Sequence, residues 1–264
     1  MPTTAVVTGA GRGIGLAFAR RLAEEGHRVI LTDVDGAAAE SAAAGIGSGA
    51  VGLQQDVRDI SSHRRIAEEA AALGQLRVWV NNAGVLYAGE AWEHSDDEIA
   101  TILDVNVRGV MAGSAAAITQ MRHTGGGVIL NVASLSALAP VPGLALYAAT
   151  KAAVLSYTTS LEGDLRHAGL PIRVRALCPD VVNTQMVTSH AKDLGAAMLF
   201  AGPRPLDEAA VVRAGMELMN SRQIFRVLPR WRGVLSRAGD LAPSVGLGLI
   251  GVMRKVGNRR QART

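Results

Sequence analysis

At 264 residues, 48% hydrophobic but only 3% aromatic, the chain can bury a substantial core of thin strands and closely packed helices, which disfavours a β-sandwich. One cysteine, Cys178, excludes an internal disulfide and fits a reducing compartment. The net charge of +4 hides an acidic body (residues 1–221, −5) and a basic tail (222–264, +9), and without aromatic–basic interleaving in the body we expect no nucleic-acid partner.

The chain enters its first strand, 4–8, without a basic and apolar leader, so a cytoplasmic location is expected. The turn Thr8-Gly9-Ala10-Gly11-Arg12-Gly13-Ile14-Gly15 then opens a helix over 13–25. Such a turn lets backbone N–H groups and a helix N-terminus face a pyrophosphate, although Ile14 stands where the common G-x-G-x-x-G spacing places its last glycine. Strand 28–33 ends at Asp33, at the distance expected of an acid that accepts hydrogen bonds from an adenosine ribose. Asp33 would repel a 2′-phosphate and Asp35 adds to that field, while Arg12 argues mildly the other way; NAD is expected over NADP. A helix over 36–44 leads to Gly45–Gly49, read as an ordinary turn, and to strand 51–56.

A helix over 60–73 and a strand over 76–82 follow, the latter running into Asn81-Asn82-Ala83-Gly84. One long helix is expected over 95–122, then a strand over 127–133 ending at Ser134. In the helix predicted over 145–168, Tyr147 and Lys151 are four residues apart and share a face. A phenol is a poor acid/base at neutral pH, and the ammonium is expected to lower its pKa toward the working range. A strand over 171–178, a helix over 207–220 and a strand over 224–228 complete the pattern. Continuous apolar strands separated by helices predict a doubly wound parallel sheet of about seven strands with helices on both faces. Residues 1–221 read as one dinucleotide-binding and catalytic domain, and 222–264 as its last strand and a basic extension.

From Thr4 to about Thr184 the chain resembles the short-chain dehydrogenase/reductase family, whose fold is Rossmann-like. Thr8-Gly9, Gly13 and Gly15 fit the family's cofactor turn, Asp56-Val57 its adenine-contacting acid, and Asn82-Ala83-Gly84 the turn closing strand four. Asn106 fits the catalytic Asn, Ser134 precedes Tyr147 by the family's thirteen-residue interval, and Lys151 completes the tetrad. Ser136 is the nearby competitor that this interval passes over. The resemblance implies a hydride transferred between a nicotinamide cofactor and a CH–OH or carbonyl carbon. Ser134 would bind the substrate oxygen and Tyr147 would act as general acid/base. Lys151 would hold the nicotinamide ribose and acidify Tyr147, and Asn106 would hold a water that links Lys151 to solvent. Pro179, Val182 and Thr184 fit the cofactor loop after strand six, with Asp180 where the family usually has Gly. The resemblance also implies a homo-oligomer, dimer or tetramer, built on the helices near 95–122 and 145–168.

The segments expected to border the substrate are apolar: Val85-Leu86-Tyr87, Leu135 to Leu146, and a lid with Met186, Met198, Leu199 and Phe200. They favour a lipophilic secondary alcohol, ketone or aldehyde. One alternative is an NADPH-dependent ketoreductase of carrier-bound acyl chains, and another a non-catalytic cofactor-binding or scaffold protein. The six histidines show no ligand spacing and are read as surface residues, so no metal is expected. Cys178 reads as buried packing. The apolar stretch Leu241 to Met253 is too short to span a bilayer. Trp231, Val234, Leu235, Leu247, Leu249 and Ile250 mixed with arginines could lie on an anionic membrane. We prefer a helix packed on the body or on a neighbouring subunit, followed by a disordered basic end, Asn258–Thr264.

Overall fold

Segments rich in Val, Ile and Leu that are apolar on both faces must lie in a sheet covered on two sides, and the computed structural model places them there. It describes residues 1–202, 204–240 and 243–262, without the side chains of 194, 238–240, 243–247 and 249. Leu241, the side chains of Leu247 and Leu249, and the terminal Thr264 lie outside the described residues.

β1 (Thr3–Thr8) is followed by α1 (Gly13–Glu24), β2 (Arg28–Asp33), α2 (Gly36–Ile46), β3 (Val51–Gln54), α3 (Ile60–Leu73) and β4 (Gln75–Asn81). Next come α4 (Asp96–Leu103), a π-turn (Asp104–Arg108), α5 (Gly109–Met121), β5 (Gly127–Val132), a 3-10 turn (Leu135–Leu138), α6 (Ala145–His167) and β6 (Ile172–Pro179). The remainder holds α7 (Gln185–Thr188), α8 (Ala197–Phe200), α9 (Glu208–Met219), β7 (Phe225–Leu228), α10 (Arg230–Asp240) and α11 (Pro243–Gln261).

The sheet is wholly parallel, in the order β3-β2-β1-β4-β5-β6-β7. Strand order reverses between β1 and β4, so the loops beyond their C-terminal ends diverge and open a crevice. One face buries Phe18, Leu22, Leu31, Leu130 and Leu218 between the sheet and α1 and α9. A Cβ on Gly215 would meet the Phe18 ring at 2.4 Å, so α9 can approach α1 this closely only with glycine there. The other face buries Ile66, Trp79, Met121, Ile129 and Leu165 beneath α3, α5 and α6. Full burial of side chains of this size stabilises the fold by about 1.5–3 kcal/mol each.

A polar network crosses this apolar interior. Trp79 Nε1–H donates to Asn81 Oδ1 at 2.7 Å, and Asn81 Nδ2 donates to Asn131 Oδ1 at 2.8 Å and to Ser114 Oγ at 3.1 Å. Asn131 in turn donates to Thr158 Oγ1 at 2.9 Å. Asn81 therefore joins β4, β5, α5 and α6, because its amide needs partners once buried.

Three expectations require correction. The helix expected over 95–122 is two helices joined by the π-turn that carries Asn106. The basic end expected to be disordered continues as α11 to Gln261. The histidines are not all on the surface: His63 is buried, its Nε2 bonded to Val57 O at 2.9 Å, and the His94 side chain is only 4% exposed. Burial lowers the His63 pKa, keeping the ring neutral.

Candidate active site

At the reversal point a cleft of about 1770 Å³ runs from the β1 turn to the C-terminal helices. That exceeds the roughly 300–1,000 Å³ of an ordinary small-ligand pocket and allows room for a dinucleotide beside a substrate.

One end is built by the glycine turn. Gly9 and Gly13 have φ of +61° and +60°, which favours glycine. A Cβ on Gly9 would stand 2.7 Å from Ala83 Cα, and one on Gly15 would stand 2.3 Å from Gly9 O. Thr8 Oγ1 accepts from the Asn82 and Ala83 N–H groups at 3.1 Å, and Asn82 Nδ2 donates to Thr8 O and Gly9 O at 3.0 and 2.8 Å, locking the β1 and β4 turns together. Asp35, Asp59, Ser95 and Asp207 cap α2, α3, α4 and α9, whereas Arg12 gives α1 no side-chain cap. Arg12, Gly13 and Ile14 line the cleft there. An uncapped helix start with unopposed N–H groups suits an anionic group.

Asp33 lies beside this turn and lines the cleft. Its carboxylate accepts from Gly11 N–H at 3.0 Å and Asp35 N–H at 3.2 Å. Asp35 is occupied as the α2 cap, accepting from Ala38 N–H at 3.0 Å. β3 stops at Gln54 because Gln55 turns inward, where Oε1 accepts from Thr32 Oγ1 at 2.7 Å. Asp56 and Val57 line the cleft, but Asp56 is also paired with Arg58 at 2.6 Å, an interaction that lowers its pKa. Arg58, which the sequence reading passed over, therefore sets a cation beside Asp33's end of the cleft.

The remaining groups converge at the middle. Ser134, following β5, receives a hydrogen bond from Ser136 N–H at 3.2 Å and lies within hydrogen-bonding reach of the Tyr147 phenol. Ser136 Oγ is itself buried with no hydrogen-bond partner. Lys151 Nζ donates to Val132 O at 2.9 Å and lies 5.5 Å from the Tyr147 ring centre. Pro179, Val182 and Thr184 line the cleft on its β6 side.

One electrostatic expectation is revised. Burial raises the Tyr147 pKa to about 12, and the bond from Ser134 only partly offsets it. Burial lowers Lys151 to about 8. Desolvation, rather than the neighbouring ammonium, thus sets the direction of the phenol's shift. Asn106 is fully buried: it accepts from Val85 N–H at 2.9 Å and donates to Val85 O at 2.9 Å and Thr150 Oγ1 at 3.1 Å. Cys178, beside Lys151, is buried and its thiol is pushed up to about 12.

Leu86, Tyr87, Leu144, Met186, Met198 and Leu199 line the outer part of the cleft, but Phe200 does not. Gly89, Gly143 and Gly195 from three loops meet there. A Cβ on Gly143 would lie 2.1 Å from Gly195 O, and one on Gly195 would lie 2.3 Å from Gly89 N. Among the described residues no group of three or more His, Cys, Asp or Glu side chains could hold a metal ion. None of the described helices is long and apolar enough to cross a membrane.

Sheet order, glycine turn and cleft together define a doubly wound fold with a cleft that suits a dinucleotide. Residues 3–195 match the family model of the short chain dehydrogenases, and the chain belongs to that family. It is 37% identical over 191 residues to the meso-2,3-butanediol dehydrogenase of Serratia marcescens, covering 72% of this chain and 75% of that one. It is 33% identical over 220 residues to the 3-beta-hydroxysteroid dehydrogenase of Comamonas testosteroni, covering 83% and 84%. Among solved structures, a short-chain dehydrogenase/reductase from Burkholderia phymatum in complex with NAD superposes with a TM-score of 0.82 at 28% identity, covering 92% of this chain and 95% of that one. A 3-ketoacyl-(acyl-carrier-protein) reductase from Brucella melitensis complexed with NADH gives 0.76 at 31% identity, covering 88% and 98%.

Proposed function

We propose that this chain interconverts a lipophilic secondary alcohol and its ketone, with NAD as the cofactor and Tyr147 as the general acid/base. The observation that carries the proposal is the meeting of Tyr147, Ser134 and Lys151 in one cleft whose far end holds the uncapped start of α1 and the Asp33 carboxylate. The glycine turn would hold the pyrophosphate, Asp33 the adenosine ribose, and Lys151 the nicotinamide ribose. When bound, the cofactor accepts or supplies the hydride.

The residues of the chain do the rest. Ser134 orients the substrate oxygen toward Tyr147. In reduction the phenol gives its proton to the developing alkoxide, and in oxidation the phenolate removes the alcohol proton. Lys151, charged below about pH 8, stabilises the phenolate in either direction. Asn106 acts through its hydrogen bonds to Val85 and Thr150, which hold the 85–87 loop against α6. The π-turn re-spaces the backbone bonds of this helix.

A panel of lipophilic alcohols and ketones followed by nicotinamide absorbance tests this reading; turnover of none of them with either NAD or NADP would refute it. Carbonyl reduction should be constant at neutral pH and decline as pH rises through about 8, where Lys151 loses its charge. Alcohol oxidation should rise with pH, because the phenol stays protonated up to about 12 in the free protein. A kcat/KM profile in each direction checks the two signs.

Asp33→Ala should weaken NAD and relieve discrimination against NADP, changing the ratio of the two kcat/KM values by about tenfold, on the scale of one charge-assisted hydrogen bond. An unchanged ratio would show that this acid does not read the ribose. A second reading, reduction of acyl chains on an acidic carrier, is favoured by the likeness to the ketoacyl reductase and by the basic tail. Faster turnover of a carrier-linked 3-ketoacyl chain than of the free ketones would select it.

A further inference from the structure

The sequence pattern left α10 and α11 as a tail, yet both helices border the cleft: Trp231, Leu235, Ile250 and Met253 line it together with Arg232 and Asp180. Asp180 follows β6, and Arg232 lies on α10, 52 positions later; the two side chains form an ion pair and are only 11% and 16% exposed. Gly233, the next residue, presses α10 onto β7, since a Cβ there would lie 2.9 Å from Val227. Arg232 Nη1 also lies 2.9 Å from where a Cβ of Gly202 would be, so the guanidinium is wedged between the β6 loop, the lid and α10. α11 is fastened further out. Arg254 pairs with Glu90, and Gln261 Nε2 donates to Ala191 O at 3.0 Å and Asp193 O at 2.8 Å. Its Gly257 lies so close to α8 that a Cβ would fall 2.0 Å from Ala197 O.

We propose that α10 and α11 form the outer wall of the substrate end of the cleft and that the Asp180–Arg232 pair fixes this wall, making both side chains positioning residues that set how bulky an alcohol or ketone is accepted. The proposal rests on the oxidoreductase reading for its substrate, but not for its geometry. In a shielded setting the attraction between the charges is strong, and removal of either leaves the other without its partner. Without the pair α10 loses its tie to the β6 loop and can move outward, and a bulky substrate then loses contacts with Trp231, Leu235, Ile250 and Met253. A small substrate lying against Tyr147 never reaches them.

The test compares Asp180→Ala, Arg232→Ala, Arg232→Lys and the charge exchange Asp180→Arg with Arg232→Asp. Selectivity is read as kcat/KM for a two-ring ketone over that for a four-carbon ketone, and α10 mobility as amide hydrogen exchange over Arg230–Asp240. Each alanine variant should reduce the selectivity about tenfold, mainly through KM, the scale of one lost positioning interaction. Each should also speed exchange in α10 while β4 and β5 exchange at the parent rate. The lysine variant and the charge exchange should recover most of both. Alanine variants with parental selectivity and α10 exchange would overturn the proposal, as would an exchanged pair no better than the single variants. Faster exchange throughout the sheet would overturn it too, by making the pair a support of the whole fold. The exchange measurement needs no turnover, so a parent inert toward every alcohol and ketone would sink the functional reading and leave the wall to be judged separately.

Discussion

Tyr147→Phe should reduce kcat by about 100- to 10,000-fold in both directions, the range ascribed to proton transfer by a placed acid/base. The ring is kept and only the hydroxyl leaves, so packing at the start of α6 is unchanged and the affinity for NAD should move little. The loss comes from the substrate oxygen having no group to exchange a proton with. Ser134 cannot take over, because an aliphatic hydroxyl is a far weaker acid than a phenol. Initial-rate kinetics with saturating NAD and an established alcohol, together with NAD binding by fluorescence titration, would check both halves. A variant retaining parental kcat would show that the phenol carries no proton in the rate-determining step.

Glu162→Ala should destabilise the fold by about 3–5 kcal/mol, the cost of breaking a buried ion pair from one side. The carboxylate is 3% exposed and accepts from three groups: Val174 N–H at 2.7 Å, Arg175 at 2.9 Å and Arg166 at 2.7 Å. Arg175 is itself 2% exposed, so its charge would be stranded in the interior. Burial pushes the Glu162 pKa up, but these bonds more than offset it and the net shift is downward. A folded-state pKa below the unfolded one means that the contribution is intact above about pH 4.3 and is lost as pH falls through the lower, folded value. Glu162 is also what ties the later half of α6, the helix of Tyr147 and Lys151, to β6. Thermal unfolding at pH 7 should show Tm lower by on the order of 10 °C. A shift under about 2 °C would show that the cluster is satisfied without this acid.

The sheet and most of the cofactor end were legible in the chain because local signals specify them. Apolar strands between helices, a glycine turn after β1 and an acid closing β2 each leave a short-range trace. Tyr147 and Lys151 were legible for the same reason, since four residues on one helix fix their proximity. What escaped depends on distant partners. Hydrophobic spacing over 95–122 looks the same whether the backbone bonds run i→i+4 or widen at Asn106, so the π-turn left no mark. His63 carries no sign that Trp79 and Val57 will enclose it.

The C-terminal helices are the plainest case. Their Gly233 and Gly257 drew no comment in the sequence, whereas in the fold they are contact points with β7 and α8. Their arginines read as a basic tail, whereas Arg232 and Arg254 find acids 52 and 164 positions away. The phenol's pKa escaped as well, because spacing shows the neighbouring ammonium but not the atoms that remove water from both groups.

The central claim is that Tyr147 is the proton carrier and that a cofactor-loaded cleft brings it into a working range. The chain has only three tyrosines, so a ring-labelled sample resolves them by NMR, with Tyr147→Phe giving the assignment. Titration of the free protein should place Tyr147 near 12. With NAD bound, the cationic nicotinamide beside the phenol should lower that value by about two units or more. A tyrosine that titrates at the same pH with and without NAD would contradict the account.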